Sequence, residues 1–373
     1  MKKLVFFLLI VVAITVFTSF RVVAIHNDHL PVAVDTSSTR DSIQYPEETH
    51  FKNVQQLTFG GDNAEAYFSF DSKWIIFQRT NPKEGIMCDE MFIGKVPKPG
   101  EKFEYKRISS GKGRTTCGSF MKDGKHIIYA STHLGADTCP PVPDRSKYGN
   151  KYIWAVYKDF DIFKADTNGH IIKRLTSTKG YDAEATFSPK GDKIVFTSMR
   201  NGDLDLYTMD ADGKHVKQIT NTLGYDGGAW FSPDGKKIIW RASRPKTEAE
   251  IKEYKELIAE NLVAPTHMEV WIANVDGTDA KQVTDLEQAN WAPNFTPDGK
   301  HFIFCSNHEY KKGFPFNMYL ANMDGSNVQK ISRDKGFDAF PMFSPDGRKI
   351  VFSSNRNNSD SREINIFIAD WVE

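Results

Sequence analysis

The sequence predicts an all-β fold, a six-bladed β-propeller of four-stranded antiparallel blades, on three observations. A phrase built on Phe-Ser-Pro-Asp-Gly, a basic residue and an apolar run occurs in six copies: "FSFDSKWIIF" from Phe68, "FMKDGKHIIY" from Phe120, "FSPKGDKIVF" from Phe187, "FSPDGKKIIW" from Phe231, "FTPDGKHFIF" from Phe295 and "FSPDGRKIVF" from Phe343. Short β-branched and aromatic runs parted by Gly- and Asp-bearing turns lie between the copies. Periods of roughly 40 to 50 residues with several strands each are those of propeller blades. Finally, the chain ends just after the third strand of the sixth copy, while a spare fourth-strand phrase precedes the first copy.

The cleanest repeat shows each element in order. "YDAEATFS" is a first strand and "KIVFTSM", after the turn "PKGD", a second; "LDLYTMD" is a third and "HVKQIT", after "ADGK", a fourth. Gly and Asp stand where tight hairpins need unusual backbone angles. Third strands recur as "DIFKAD", "DLYTMD", "EVWIAN", "NMYLAN" and "NIFIAD", with "MFIGKV" as a degenerate first copy. Fourth strands recur as "YKRIS", "IIKRLT", "VKQIT", "AKQVT" and "NVQKIS". "KNVQQLT", Lys52 to Thr58, is the remaining one, and its pairing with the last blade would close the ring and remove two exposed sheet edges.

The N-terminus is a separate matter. Residues 1–24 carry two lysines, an apolar run from Leu4 to Phe17 and then Val22-Val23-Ala24, the pattern of a cleaved export signal. Arg21 near the cleavage region leaves an uncleaved membrane anchor as the alternative. Residues 25–50, rich in Ser, Thr, Asp and Pro, read as a polar linker, and 51–373 as the propeller. Lys plus Arg equals Asp plus Glu, 48 against 48, so no long-range field draws the chain to nucleic acid or an anionic membrane.

The six phrases, together with "DLDLYTMDADG" from Asp203 to Gly213, resemble the propeller repeats of the TolB-like family over about residues 51 to 373. The resemblance implies the six-bladed fold; an α/β domain ahead of the propeller, as in TolB itself, is not found in this sequence. No Gly-x-Ser-x-Gly elbow of a propeller-bearing hydrolase occurs either.

In such a blade the hairpins joining strands one to two and three to four open on one face, and the remaining connections on the other. The repeated phrase therefore lies on a plain face. The opposite face carries expanded connections, about 131–158 in blade two and 243–267 in blade four, and long loops on a rigid scaffold are where binding usually sits. The second of these contains "TEAEIKEYKELIAENL", a helix with Thr247 as N-cap, Glu250 three residues on and an apolar stripe of Ile251, Tyr254, Leu257 and Ile258. It is expected to lie over the loop-rich face, as a cover for apolar blade surface or as a moving lid.

"GYDAEATF", "GYDGGAWF" and "GFDAFPMF" put Asp182, Asp226 and Asp338 in register near the channel mouth, with Glu184 and Glu65 two residues further in. These are the candidate ligand-binding residues, with His133: either an acidic collar for a divalent cation or a basic group, or braces that accept hydrogen bonds within their own loops. His133, His267 and His308 share that face but show no metal-ligand spacing, and no resident cofactor or metal motif is read. Cys88, Cys117 and Cys139 cluster on the loop-rich face of blades one and two, where export would permit one disulfide of undetermined pairing. Cys305, within a second strand, reads as a buried apolar residue.

With no nucleophile-base pair and no phosphate loop, no catalytic residue is assigned. The expectation is an exported binding or scaffold protein, periplasmic or extracellular and monomeric, whose loop-rich face takes a protein or peptide partner of the envelope, with membrane contact only through an uncleaved anchor. The alternatives are a hydrolase or lyase acting on saccharide or peptide at the channel mouth, and a sugar receptor using Trp230 and Trp291.

Overall fold

A computed structural model describes residues 43–373 apart from 150, 311, 312, 314 and 359–362. The expected signal or anchor and most of the linker lie outside the described residues. The described residues form six four-stranded antiparallel sheets, arranged as the repeats predict. Blade three, for example, consists of Asp182–Phe187, Lys193–Ser198, Asp205–Asp210 and Lys217–Gln218.

The ring closes as expected. Phe51–Gln56 pairs antiparallel with Asn365–Trp371 and so supplies the fourth strand of blade six. Its fit is chemical as well as topological, because a Ser or Thr after every fourth strand ties back to the third. Thr176, Thr220 and Thr284 each accept from a third-strand N–H, at Ile162, Leu206 and Val270, and each donates to the acid that starts that strand, Asp161, Asp205 or Glu269. Thr58 repeats this with Ile366 N–H at 2.9 Å and Asn365 at 3.2 Å. The N-terminal strand thus carries the same latch as its five counterparts.

Second strands read as unbroken apolar runs because neighbouring blades cover both of their faces. Ile238, Ile239 and Trp240, or Phe302, Ile303 and Phe304, are fully buried. Fourth strands are the outer edges and are shorter than the sequence suggests: those of blades three, four and five pair over two residues only. Their apolar residues have little to pack on, and Val216 and Val328 remain exposed.

The repeated turn welds blade to blade. Gly235, at φ 72°, sits where an added Cβ would come within 3.7 Å of Pro189 of the preceding blade, and Gly347 stands likewise 3.2 Å from Pro297. In five of the six turns the Asp accepts from the turn's own Ser or Thr, as Asp234 does from Ser232 at 2.6 Å. The phrase is scaffold in this respect.

Each first strand carries a bulge whose extra residue has a left-handed backbone: Glu65, Cys117, Glu184, Gly228, Ala292 and Phe340, with φ between 47° and 62°. A bulge adds a residue to one strand and re-aims its side chain, and here the sixfold repetition lines the channel interior with these six positions.

Candidate functional site

Asp182, Asp226 and Asp338 are buried and each meets an arginine eighteen residues later, just past the second strand: Arg200 at 3.1 Å, Arg244 at 2.6 Å and Arg356 at 2.8 Å. Each guanidinium also lies over an aromatic ring of its blade's third strand, Tyr207, Trp271 or Phe367. Burial pushes the Asp182 carboxyl up and takes Asp226 to about 6, against the pull of their arginines. In blade six the arginine is shared: Glu48 grips Arg356 with both oxygens, at 2.9 and 3.0 Å, from the end of the segment whose composition is that of a linker.

The same rule explains two of the histidines. His133 and His308 occupy the Arg position of blades two and five, where the first strand begins with Thr115 or Asn290 and offers no charge to neutralise. His133 bonds Ser131 and lies 4.5 Å from the Phe163 ring, and His308 bonds Ser306 and lies 4.6 Å from Tyr319. Burial lowers both imidazole pKa values. His267 is exposed elsewhere. The three histidines therefore do not converge, and no cluster of three or more His, Cys, Asp or Glu able to hold a metal ion exists among the described residues.

Glu65 and Glu184 do come together, below the collar. Glu184 accepts from Tyr181, Tyr225 and Arg241 at 2.8 to 3.0 Å, and Glu65 from Tyr67 at 3.0 Å and the Cys117 thiol at 3.1 Å. Gly228 takes the blade-four bulge because an added Cβ would strike the Arg241 guanidinium at 2.1 Å. Burial raises the pKa of Glu65 and holds the Cys117 thiol far above its ordinary value, which disfavours the thiolate.

Both ends of this polar chamber are stopped. Toward the plain face, Tyr67 of blade one meets Trp230 of the opposite blade four across the axis at 4.9 Å. Toward the loop-rich face, the two expanded connections meet: Trp154–Ala155 pairs antiparallel with Leu262–Val263, and Trp154 lies 5.3 Å from both Trp291 and the Arg241 guanidinium. The helix spans Glu248–Ala259 with the Thr247 and Glu250 capping box formed. Tyr254, Leu257 and Ile258 are buried, while Ile251, at the edge of the stripe, stays partly exposed. Trp291 is buried with its indole N–H on Pro265, so it is closed to a ligand.

Cys88 and Cys139 form a disulfide, with S–S 2.12 Å, that ties the blade-two connection to blade one; Cys117 and Cys305 are buried free thiols. On this stapled face Met87 is 65% exposed, Leu134 59% and Val142 73%. On the plain face a blind vestibule of about 270 Å³ opens along the axis, walled by the Phe and Pro residues of the repeated phrase.

Residues 142–262 and 258–361 match the family model of the TolB beta propeller domain, together more than half of the chain. The chain belongs to this family. TolB-like propellers also stand among its structural neighbours: the putative TolB from Agrobacterium tumefaciens is 16% identical over 84% of this chain and 91% of that one, with a TM-score of 0.54. TolB from Acinetobacter baumannii is 19% identical over 83% of this chain and 63% of that one, at 0.50. The tricorn protease, 18% identical, shares 80% of this chain but 25% of its own length, at 0.51. At these identities the likeness is one of fold. No curated protein matches the sequence.

Three features of this TolB-like ring escape a motif reading. The Asp and Arg spacing was on view in "SMR", "ASR" and "SNR", each ending eighteen residues past its Asp. Arg241 directly follows the buried run Ile238-Ile239-Trp240 of its second strand, and that charge at the inner end of a buried run was the available cue. The meeting of Trp154 with Val263 had none, because a two-residue pairing between distant loops leaves no periodicity.

Proposed function

We propose that the protein is an exported, non-catalytic binding protein whose loop-rich face receives a protein or peptide partner of the cell envelope. The observation that carries this reading is the apolar exposure of Met87, Leu134 and Val142 on connections that are held rigid. The disulfide and the Pro-rich run from Cys139 to Pro143 restrain that loop before any partner arrives, which lowers the ordering cost of association. Exposed apolar residues on a stiff support are what a docking surface needs.

The same face is poorly suited to chemistry. Asp182, Asp226 and Asp338 each hold an arginine, and Trp154 lies against the Arg241 guanidinium that pairs with Glu184. A general acid or base must reach its substrate, and these carboxylates are spoken for. The family supports a binding or scaffold role, and its TolB members give export as the reading for this chain.

The test is capture from envelope extract with wild type and with a Leu134→Asp, Val142→Asp double variant. A partner recovered by the wild type and lost at least tenfold by the variant, with unchanged thermal unfolding, supports the assignment. Equal recovery by both proteins removes the loop-rich face from consideration.

A further inference from the structure

We propose that the plain-face vestibule is a second, separate site, which binds the uncharged terminal sugar of a glycan. The cavity, about 270 Å³, has room for roughly nine waters or one hexose-sized ring. Its rim is formed by Pro189, Pro233, Pro297 and Pro345, and its floor by Tyr67, Trp230, Asn294 and Met342. No charged side chain lines it.

Three properties define the occupant. The cavity is blind, because Tyr67 and Trp230 close the axis at 4.9 Å, so only a chain end or a single protruding group can enter. A peptide terminus would bring a charge into a lining with nothing to pair it, and burying an unpaired charge is strongly unfavourable. The floor also holds polar groups that await partners. Asn294 is 8% exposed, and its side-chain hydrogen bond among the described residues runs from the amide nitrogen to the Met342 sulfur at 2.9 Å, a weak acceptor. Whichever way that amide is turned, one of its polar atoms faces the cavity unbonded.

Ser119 is 6% exposed, and among the described residues neither its hydroxyl nor the Trp230 indole N–H, both at the cavity wall, meets a hydrogen-bonding partner. A purely aliphatic ligand would leave all three unsatisfied, which costs affinity. A pyranose presents an apolar face to aromatic rings and hydroxyls at its edge, and so satisfies both kinds of wall at once.

The test is calorimetric and Trp-fluorescence titration of the purified protein with glucose, galactose, mannose and N-acetylglucosamine, beside glucuronate, galacturonate and a cyclic peptide displaying Trp or Leu. The expected result is saturable binding of at least one neutral sugar, with dissociation constants at least tenfold weaker for the uronates and for Asn294→Leu. Pro345→Arg, at the exposed rim, blocks entry without touching the floor and serves as the second variant. Absence of neutral-sugar binding, equal binding of uronates, binding of the peptide instead, or binding indifferent to both variants would overturn the proposal. The Asn294→Leu and Pro345→Arg variants change the plain face alone, so failure of the proposal leaves the loop-rich face assignment untouched.

Discussion

At the scale of single residues, the molecule matches charge to charge at one position that recurs in three blades. Asp182, Asp226 and Asp338 each come with an Arg eighteen residues on, whereas the uncharged Thr115 and Asn290 come with His133 and His308. A buried ion pair contributes little net stability, but removing one partner leaves an uncompensated charge and costs about 3 to 5 kcal/mol. Arg244→Met should therefore destabilise the protein by about that amount at neutral pH, measured by denaturant unfolding. The pH dependence has a definite sign. Asp226 titrates at about 6 even with Arg244 beside it, above its ordinary range because of burial. Without Arg244 the carboxyl will hold its proton to still higher pH. The variant's deficit is thus greatest above pH 6 and shrinks on acidification, where the neutral acid needs no cation. A deficit independent of pH would mean that Arg244 acts through packing on Trp271 and not through its charge.

At the scale of elements, two irregular connections have become one covering. The blade-two connection is anchored by the disulfide at one end and by Trp154 at the other, and the blade-four helix is anchored by Tyr254, Leu257 and Ile258. The helix was legible to its cap, since Thr247, Glu250 and an i, i+3, i+4 stripe are local signals. Its role as a cover packed on the blades follows from burial of three of the four stripe residues. The disulfide closes 51 residues of chain, for which loop-closure entropy gives about 4 kcal/mol of stabilisation. Cys139→Ser is expected to lower unfolding free energy by up to that amount and to speed proteolysis within 131–158 over other loops. Cleavage spread evenly over the surface would show that the arch keeps its place without the bond.

At the scale of the whole molecule, ring closure rests on one strand contributed from the far end of the sequence. Phe51–Gln56 joins blade six through the strand ladder, Thr58 supplies the side-chain latch, and Glu48 binds Arg356 beside Asp338. Deleting residues 43–58 would expose the edge of Asn365–Trp371 and strip Arg356 of one counter-charge. An open edge is a template for pairing with another chain. The truncated protein is expected to lose its single cooperative thermal transition and to associate in a concentration-dependent manner by light scattering. A monomer with unchanged unfolding would show that the five complete blades and three strands close without it.

By itself the sequence determined the blade count, the strand order within each blade, the closing strand, the helix and the distinction between plain and elaborated faces. These follow from local rules repeated six times, with turn chemistry at Ser-Pro-Asp-Gly and apolar runs where neighbours cover both sides of a strand. Only the tertiary structure decided which partners Asp182, Asp226 and Asp338 take, because their arginines, eighteen residues away, meet them only when strands one and two lie side by side. The tertiary structure also decided that Cys139 pairs with Cys88, that Trp154 stops the channel above Arg241, and that Tyr67 meets Trp230 across the axis to leave a blind vestibule. The disulfide joins neighbouring blades through an irregular loop, whereas Trp154 with Arg241 and Tyr67 with Trp230 join blades distant in sequence, which the ring brings within reach of one another.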